Sequence, residues 1–252
     1  CPEVEVSSLS DEDVTLLGYL PYLKTVDARN CTDYHQLEAL VAARPEVKVL
    51  YNVTIDGMAY PQDAKALRLV GFTEQELALV RYLPCLEAVD ATGCEEYDLL
   101  KQLWEAYPAL NMTYQVPIGG REYAENTREL HLSDVETEEL LQMLQYLPEL
   151  KSVTVLDPRY SDISMTDVAE TYSDVYFWWE MDVFGLHMTC QDTEINLNKR
   201  TLESVEAVER ALANFPNLER AYLGRCGLDN EELAAYRDRV RPEYKVVWNI
   251  LI

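Results

Sequence analysis

The sequence predicts an α/β solenoid, with parallel strands on one side, helices on the other and hairpin insertions between them. Three observations predict it. A motif of an apolar residue, Pro, any residue and Leu recurs four times in 252 residues. Short segments with alternating apolar residues, typical of strands, recur in step with that motif. The apolar share of 48% is sufficient for a core, which excludes a disordered chain.

The first element of each repeat is a short strand followed by a helix that ends at the motif proline. The four motifs begin at Leu20, Leu83, Leu147 and Phe215, and their prolines are 63, 64 and 68 residues apart. Proline disfavours the helical state of the residue before it, so it ends the helix. We expect helices from Ser10 to Leu20 and from Thr73 to Leu83, each beginning with a capping box.

A second helix and a longer third strand complete each repeat. The second helix ends near Pro45, Pro108, Ser173 or Pro242. The third strand alternates strictly, as in the run Leu110 to Ile118. Gly-containing turns follow at Asp56-Gly57, Gly119-Gly120 and Phe184-Gly185, which predicts that this strand folds back as a hairpin.

The repeats divide the chain into four units, which we predict to form one domain. The unit boundaries fall at about residues 1–62, 63–125, 126–190 and 191–252. No unit of this size can bury its own apolar face, so stacked neighbours must supply the core.

The middle strand carries the most specific pattern. Three apolar positions and a cysteine are spaced alike in three units, ending at Cys31, Cys94 and Cys226, and Pro158 takes the cysteine position in the remaining unit. This spacing matches L-x-x-L-x-L-x-x-N/C. The run from Leu20 to Cys31 reads L-P-x-L-K-x-V-D-x-x-x-C. The chain therefore resembles divergent leucine-rich-repeat proteins of Gram-positive gut bacteria, which carry similar segments together with Y-P-x-V-x-x-x-W.

The resemblance implies a leucine-rich-repeat-like solenoid whose strands line an open concave face. Cys31, Cys94 and Cys226 would then form a structural ladder of small buried thiols. Equivalent positions three strands apart are about 14 Å from one another, too far for a disulfide. The candidate binding residues are those that face outward from the strands, namely Asp27, Arg29, Asp90, Arg220 and Tyr222.

One region departs from the repeat and is the best candidate for binding. The third unit contains Tyr176-Phe177-Trp178-Trp179, where alternation turns Tyr176 and Trp178 outward. Exposed aromatic side chains on an acidic surface are typical anchors for a protein or glycan partner. The alternative is that a neighbouring hairpin or a further domain covers them.

The search for catalytic and cofactor motifs predicts no enzyme. The sequence has no G-x-S-x-G, P-loop, G-x-G-x-x-G, H-E-x-x-H or C-x-x-C motif. Asp182, His187, Cys190 and Asp192 are the best metal-like set, but mixed ligands at a hairpin tip are a weak signal. We therefore predict no catalytic residue, no cofactor and no metal.

The function predicted is a non-enzymatic interaction module that binds another protein through its concave strand face, most simply as a monomer. A structural spacer in a larger bacterial surface protein and a glycan-binding module are the alternatives. The net charge of −24 argues against nucleic acid, and no apolar run is long enough to span a membrane. A cell-surface or extracellular location is expected, with Cys1 either a lipidation site or an arbitrary boundary.

Overall fold

The computed structural model describes residues 2–240 and 243–248. Cys1 and Pro242 therefore lie outside the described residues, as does the end of the last predicted strand. The described chain contains sixteen strands: β1 Glu3–Glu5, β2 Thr25–Ala28, β3 Lys48–Ile55, β4 Met58–Pro61, β5 Ala66–Arg68, β6 Ala88–Asp90, β7 Asn111–Thr113, β8 Gln115–Ile118, β9 Arg121–Ala124, β10 Glu129–Ser133, β11 Ser152–Leu156, β12 Tyr176–Val183, β13 Leu186–Thr189, β14 Glu194–Asn196, β15 Arg220–Tyr222 and β16 Lys245–Val247.

Eight α-helices separate the strands. They are α1 Asp11–Gly18, α2 Tyr34–Ala43, α3 Glu74–Leu79, α4 Tyr97–Ala106, α5 Thr137–Met143, α6 Met165–Thr171, α7 Val205–Leu212 and α8 Asn230–Val240. Short 3-10 turns extend α3 and α5 at Val80–Tyr82 and Leu144–Tyr146. No helix in this described part combines the length and the apolar character that crossing a bilayer requires.

Local capping sets where the first helix of a repeat begins. The Ser10 and Thr73 side chains each accept a hydrogen bond from the backbone three residues later, and Asp13 and Glu76 complete the two capping boxes. Both predicted capping boxes are confirmed. The helices end earlier than expected because the last turn before each proline tightens into a 3-10 or irregular turn.

The strands form five separate sheets, so the predicted leucine-rich-repeat-like solenoid with a single parallel ladder is wrong. The sheets have the orders β1-β2-β3-β4, β5-β6-β7, β8-β9, β10-β11-β12-β13 and β14-β15-β16. Pairing within the four larger sheets is parallel, except that β4 and β13 return antiparallel to β3 and β12. These two returning strands occupy the edges that the next parallel strand would need, and each ladder stops there.

The three predicted turns are confirmed as hairpin tips. Asp56, Gly119 and Phe184 all have positive φ and lead into glycine. The strand predicted from Leu110 to Ile118 is instead two strands, β7 and β8, which belong to different sheets. The break falls at Tyr114, whose buried ring stacks on Trp104 with 5.6 Å between ring centroids.

The chain divides into two compact units, residues 1–115 and 116–252. Within unit 1, the third strand of the first repeat is tied to the helix end of the second. The Tyr51 hydroxyl donates to the Tyr82 carbonyl at 3.0 Å, and the Tyr82 ring stacks on Tyr34 at 5.2 Å. The core around these rings consists of alternating strand residues and helix leucines that are almost fully buried: Val26, Ala28, Leu37, Leu40, Val53 and Ile55.

Unit 2 is held together by a buried asparagine, Asn214, at the end of α7. Its Oδ1 accepts the backbone N–H of Met165 at 2.8 Å, which satisfies an otherwise unpaired amide in the first turn of α6. Its Nδ2 donates to the carbonyls of Arg210 and Ala211. Its own carbonyl accepts the indole N–H of Trp179 at 2.9 Å. One residue thus connects β12, α6 and α7.

Candidate functional site

The candidate site is the outer face of the β10-β11-β12-β13 sheet in unit 2. Register places its side chains in rows across the strands. Glu129, Ser152 and Tyr176 form the first row. The next rows are His131, Thr154 and Trp178, then Ser133, Leu156, Glu180 and Thr189, then Asp182 and His187.

Apolar side chains lie near the centre of this outer face. Tyr176 is 61% exposed and Leu156 is 40% exposed, and Trp178 is half-buried between their strand positions. Trp179 and Met181 point the opposite way into the core, each 2% exposed. The predicted alternation that turns Tyr176 and Trp178 outward is therefore confirmed.

Carboxylates border the aromatic residues. Glu180 and Asp182 follow Trp178 at alternate positions on β12, and His187 lies between them on β13. His187 Nε2 is 3.5 Å from Glu180 Oε2, and its Nδ1 is 3.6 Å from Asp182 Oδ1. No lysine or arginine occupies an outward position on the four strands. The outward residues are Glu129, His131, Ser133, Ser152, Thr154, Leu156, Tyr176, Trp178, Glu180, Asp182, His187 and Thr189.

The metal-like set at this hairpin is only partly brought together. Asp182 and His187 are direct partners across the strands. Cys190 is buried, and Asp192 instead accepts hydrogen bonds from the backbone N–H and hydroxyl of Thr189. Across residues 2–240 and 243–248, no group of three or more His, Cys, Asp and Glu side chains is arranged to hold a metal ion.

No protein-family model and no curated protein sequence matches this chain. What it binds must therefore be inferred from its own surfaces.

Two of the predicted binding residues, Asp27 and Arg29, neutralise each other in unit 1. Two hydrogen bonds join the Arg29 guanidinium to the Asp27 carboxylate, and a third comes from the Arg29 backbone N–H. These bonds lower the pKa of Asp27 to about 2. Asp90 is on a different sheet and accepts the backbone N–H of Thr92, which lowers its pKa. These residues do not form a common site.

The other predicted residues, Arg220 and Tyr222, lie on β15 in unit 2. Arg220 pairs with Glu194 on the neighbouring strand, and Tyr222 is flanked in register by Asn196 and Val247. The outer face of this three-stranded sheet is thus mixed in charge. Tyr222 is half-buried, whereas Tyr176 on β12 is exposed.

The buried cysteines match their predicted local environment. Cys31, Cys94 and Cys226 are 1–2% exposed, each follows the middle strand of its sheet, and all three are free thiols. Burial raises the pKa of the Cys31 and Cys94 thiols. Cys190 is also buried, whereas Cys85 is exposed.

Sequence reasoning missed a small pocket beside the edge strand β10. It has a volume of about 90 Å³ and is lined by Gly119, Arg121, Tyr123, His131, Leu132 and Ser133. His131 belongs both to this pocket and to the Trp178 row of the outer face. The alternation of Leu130 and Leu132 indicates that His131 points outward, but it does not indicate that the β8–β9 hairpin lies beside β10.

Proposed function

We propose that the chain is a non-catalytic module that binds a partner protein through the outer face of the β10–β13 sheet. The supporting observation is an apolar group on that face, formed by the exposed Tyr176 and Leu156 and the half-buried Trp178. Tyrosine and tryptophan are the residues most enriched among those that dominate binding energy. They combine a large contact area with few rotatable bonds.

The exposed area of Tyr176 sets the size of the contribution that covering its ring would make. A buried aromatic side chain removes about 150–250 Å² from water. Covering the exposed part of Tyr176 alone would then remove about 100 Å², worth about 2.5 kcal/mol at 25 cal/mol per Å². Trp178 is a second candidate anchor on the same strand, and tryptophan is among the residues enriched at the energetic centres of protein interfaces.

The charge of the face indicates the chemistry of the partner. Glu129, Glu180 and Asp182 surround the aromatic residues, and no outward strand position carries lysine or arginine. A partner segment with lysine or arginine next to an apolar or aromatic anchor would be complementary. Such complementarity raises the association rate, and the rate falls as salt screens the charges.

The test compares a double variant of the face with a matched double variant elsewhere. Tyr176→Ala with Trp178→Ala removes both anchors. Tyr19→Ala with Tyr22→Ala removes two tyrosines that are 77% and 79% exposed in unit 1. The wild type and both double variants are checked for folding by circular dichroism. Each is then used to capture partners, which are identified by mass spectrometry, and the affinity of each purified complex is measured.

The proposal expects the face variant to weaken the purified complex at least tenfold while the unit 1 variant binds like the wild type. Association should also slow as salt is raised from 50 to 500 mM. A partner lost equally with both variants, or bound unchanged by the face variant, would overturn the assignment of this face. A glycan ligand in place of a protein would also contradict it, and the absence of any partner would favour a spacer.

A further inference from the structure

Unit 1 shows how a hairpin can seal the open edge of the following sheet. The Tyr60 hydroxyl on β4 accepts the backbone N–H of Arg68 at 3.1 Å and donates to the Arg68 carbonyl at 3.0 Å. The Asp56 carboxylate at the hairpin tip accepts the next outward N–H, that of Val70, at 2.8 Å. A tyrosine hydroxyl and a carboxylate thus satisfy the edge of β5.

The hairpin and its contact with the following helix recur 63 residues later, entirely within unit 2. In unit 1 the Asp56 backbone N–H donates to Glu76 Oε1 at 2.9 Å. In unit 2 the Gly119 backbone N–H donates to Glu139 Oε1, also at 2.9 Å. Tyr123 takes the place of Tyr60, and β10 takes the place of β5. The two hairpin tips can therefore be compared residue by residue.

Two of the differences between the hairpins change the groups beside this edge. Gly119 stands where Asp56 stands, so the sealing carboxylate is missing. Arg121 stands where Met58 stands, so a cation has been added beside the vacated position. The 90 Å³ pocket lies there, and its room is sufficient for a carboxylate group or a few water molecules.

The donors around this pocket have no acceptor in the described part of the chain. Asp134 N–H bonds to Leu156 and Ser152 N–H bonds to Arg128, so β10 directs every second residue towards β11. Ladder geometry then directs the N–H groups of His131 and Ser133 to the open edge. The side chains of Arg121 and Tyr123 make no hydrogen bond or ion pair with any residue between 2–240 or 243–248.

We propose that this pocket binds a carboxylate group supplied by a ligand. One oxygen would take the position of Asp56 Oδ2 and accept the Ser133 N–H, while the guanidinium of Arg121 pairs with the carboxylate. The nearby Glu139 carboxylate does not exclude a bound carboxylate, because in unit 1 the Asp56 carboxylate lies at the same hairpin tip to which Glu76 is hydrogen-bonded. The site is independent of the protein partner proposed above.

The experiment is a nuclear magnetic resonance titration of the full chain, labelled with ¹⁵N, using sodium acetate as the probe. Sodium chloride, sulfate and phosphate at matched ionic strength are the comparison arms. Acetate should shift the amide signals of His131 and Ser133 along saturating curves. Chloride should not, and the larger sulfate and phosphate should bind at least tenfold more weakly.

Two variants copy unit 1 into unit 2. Arg121→Met installs the residue of position 58 and should weaken acetate binding at least tenfold. Gly119→Asp installs the internal carboxylate and should abolish acetate binding while Arg121 is retained. Asp56 has φ 51° and Gly119 has φ 58°, and a Cβ at Gly119 would meet Val135 at an ordinary 3.8 Å, so this variant can fold.

Arg210→Met is the control, since it removes an exposed helical arginine of unit 2 and should leave acetate binding unchanged. The proposal is overturned if acetate gives no saturating shift, so that the pocket holds only water. It is also overturned if Arg121→Met and Arg210→Met weaken binding equally, or if sulfate or phosphate binds as tightly as acetate.

Discussion

Replacing Asn214 by alanine should destabilise the chain more than replacing any exposed asparagine. Asn214 is fully buried, and its side chain makes three hydrogen bonds. Leaving the Met165 amide without an acceptor costs roughly 1–3 kcal/mol, and each lost bond to a helix carbonyl costs roughly 0.5–1.5 kcal/mol. We expect a total loss of about 3 kcal/mol, which lowers the melting temperature by roughly 6–12 °C.

The measurement is urea unfolding followed by circular dichroism, with Asn126→Ala as the control. Asn126 is exposed in a turn, so its substitution should change the free energy of unfolding by less than about 0.5 kcal/mol. Asn214→Asp keeps the acceptor but buries a charge at the carboxyl end of α7, and it should cost more than alanine at pH 7. Equal stability of Asn214→Ala and Asn126→Ala would refute the role of this residue.

Three further predictions concern single groups. The pKa of Asp27, about 2 in the folded chain because Arg29 donates to it, should rise towards about 3.9 in Arg29→Met when the carboxyl is titrated by nuclear magnetic resonance. Because the pKa of Asp27 is lower in the folded chain, the stabilisation by this pair is present above about pH 3.9 and is lost as the pH falls through about 2. An unchanged pKa of Asp27 in Arg29→Met would contradict the role assigned to Arg29. Trp179→Phe should lower the free energy of unfolding by about 1–3 kcal/mol because the Asn214 carbonyl loses its donor, while Trp178→Phe should be nearly neutral; equal losses would contradict the assigned orientations. Iodoacetamide should alkylate the exposed Cys85 in the native chain and the buried thiols only after unfolding, as peptide mapping would show. Early labelling of Cys31, Cys94, Cys190 or Cys226 would contradict the assigned burial.

Features set by neighbouring residues were predictable. The Thr73 and Glu76 capping box depends on residues three apart, and it forms as predicted. The outward direction of Tyr176 and Trp178 follows from alternation along a single strand. Such features need no knowledge of which strands pair.

The division into separate sheets was not predictable by the same reasoning. The hairpin at Asp56-Gly57 was predicted, but that its returning strand ends the parallel ladder at β3 depends on pairing between repeats, which local alternation does not specify. The pocket beside β10 was also missed, although aligning the repeats would have set Gly119 against Asp56 and Arg121 against Met58. Its geometry depends on a hairpin that approaches an edge strand, which is a tertiary relation.

The antiparallel strand β13 has a consequence for self-association. It covers the outer edge of β12 along Glu180–Val183, and the Cys190 N–H donates to the Trp179 carbonyl just before that segment. An uncovered edge there would present unpaired backbone N–H and C=O groups on which another copy of the chain could add a strand. The same hairpin that interrupts the ladder thereby protects this half of β12 from edge-to-edge association.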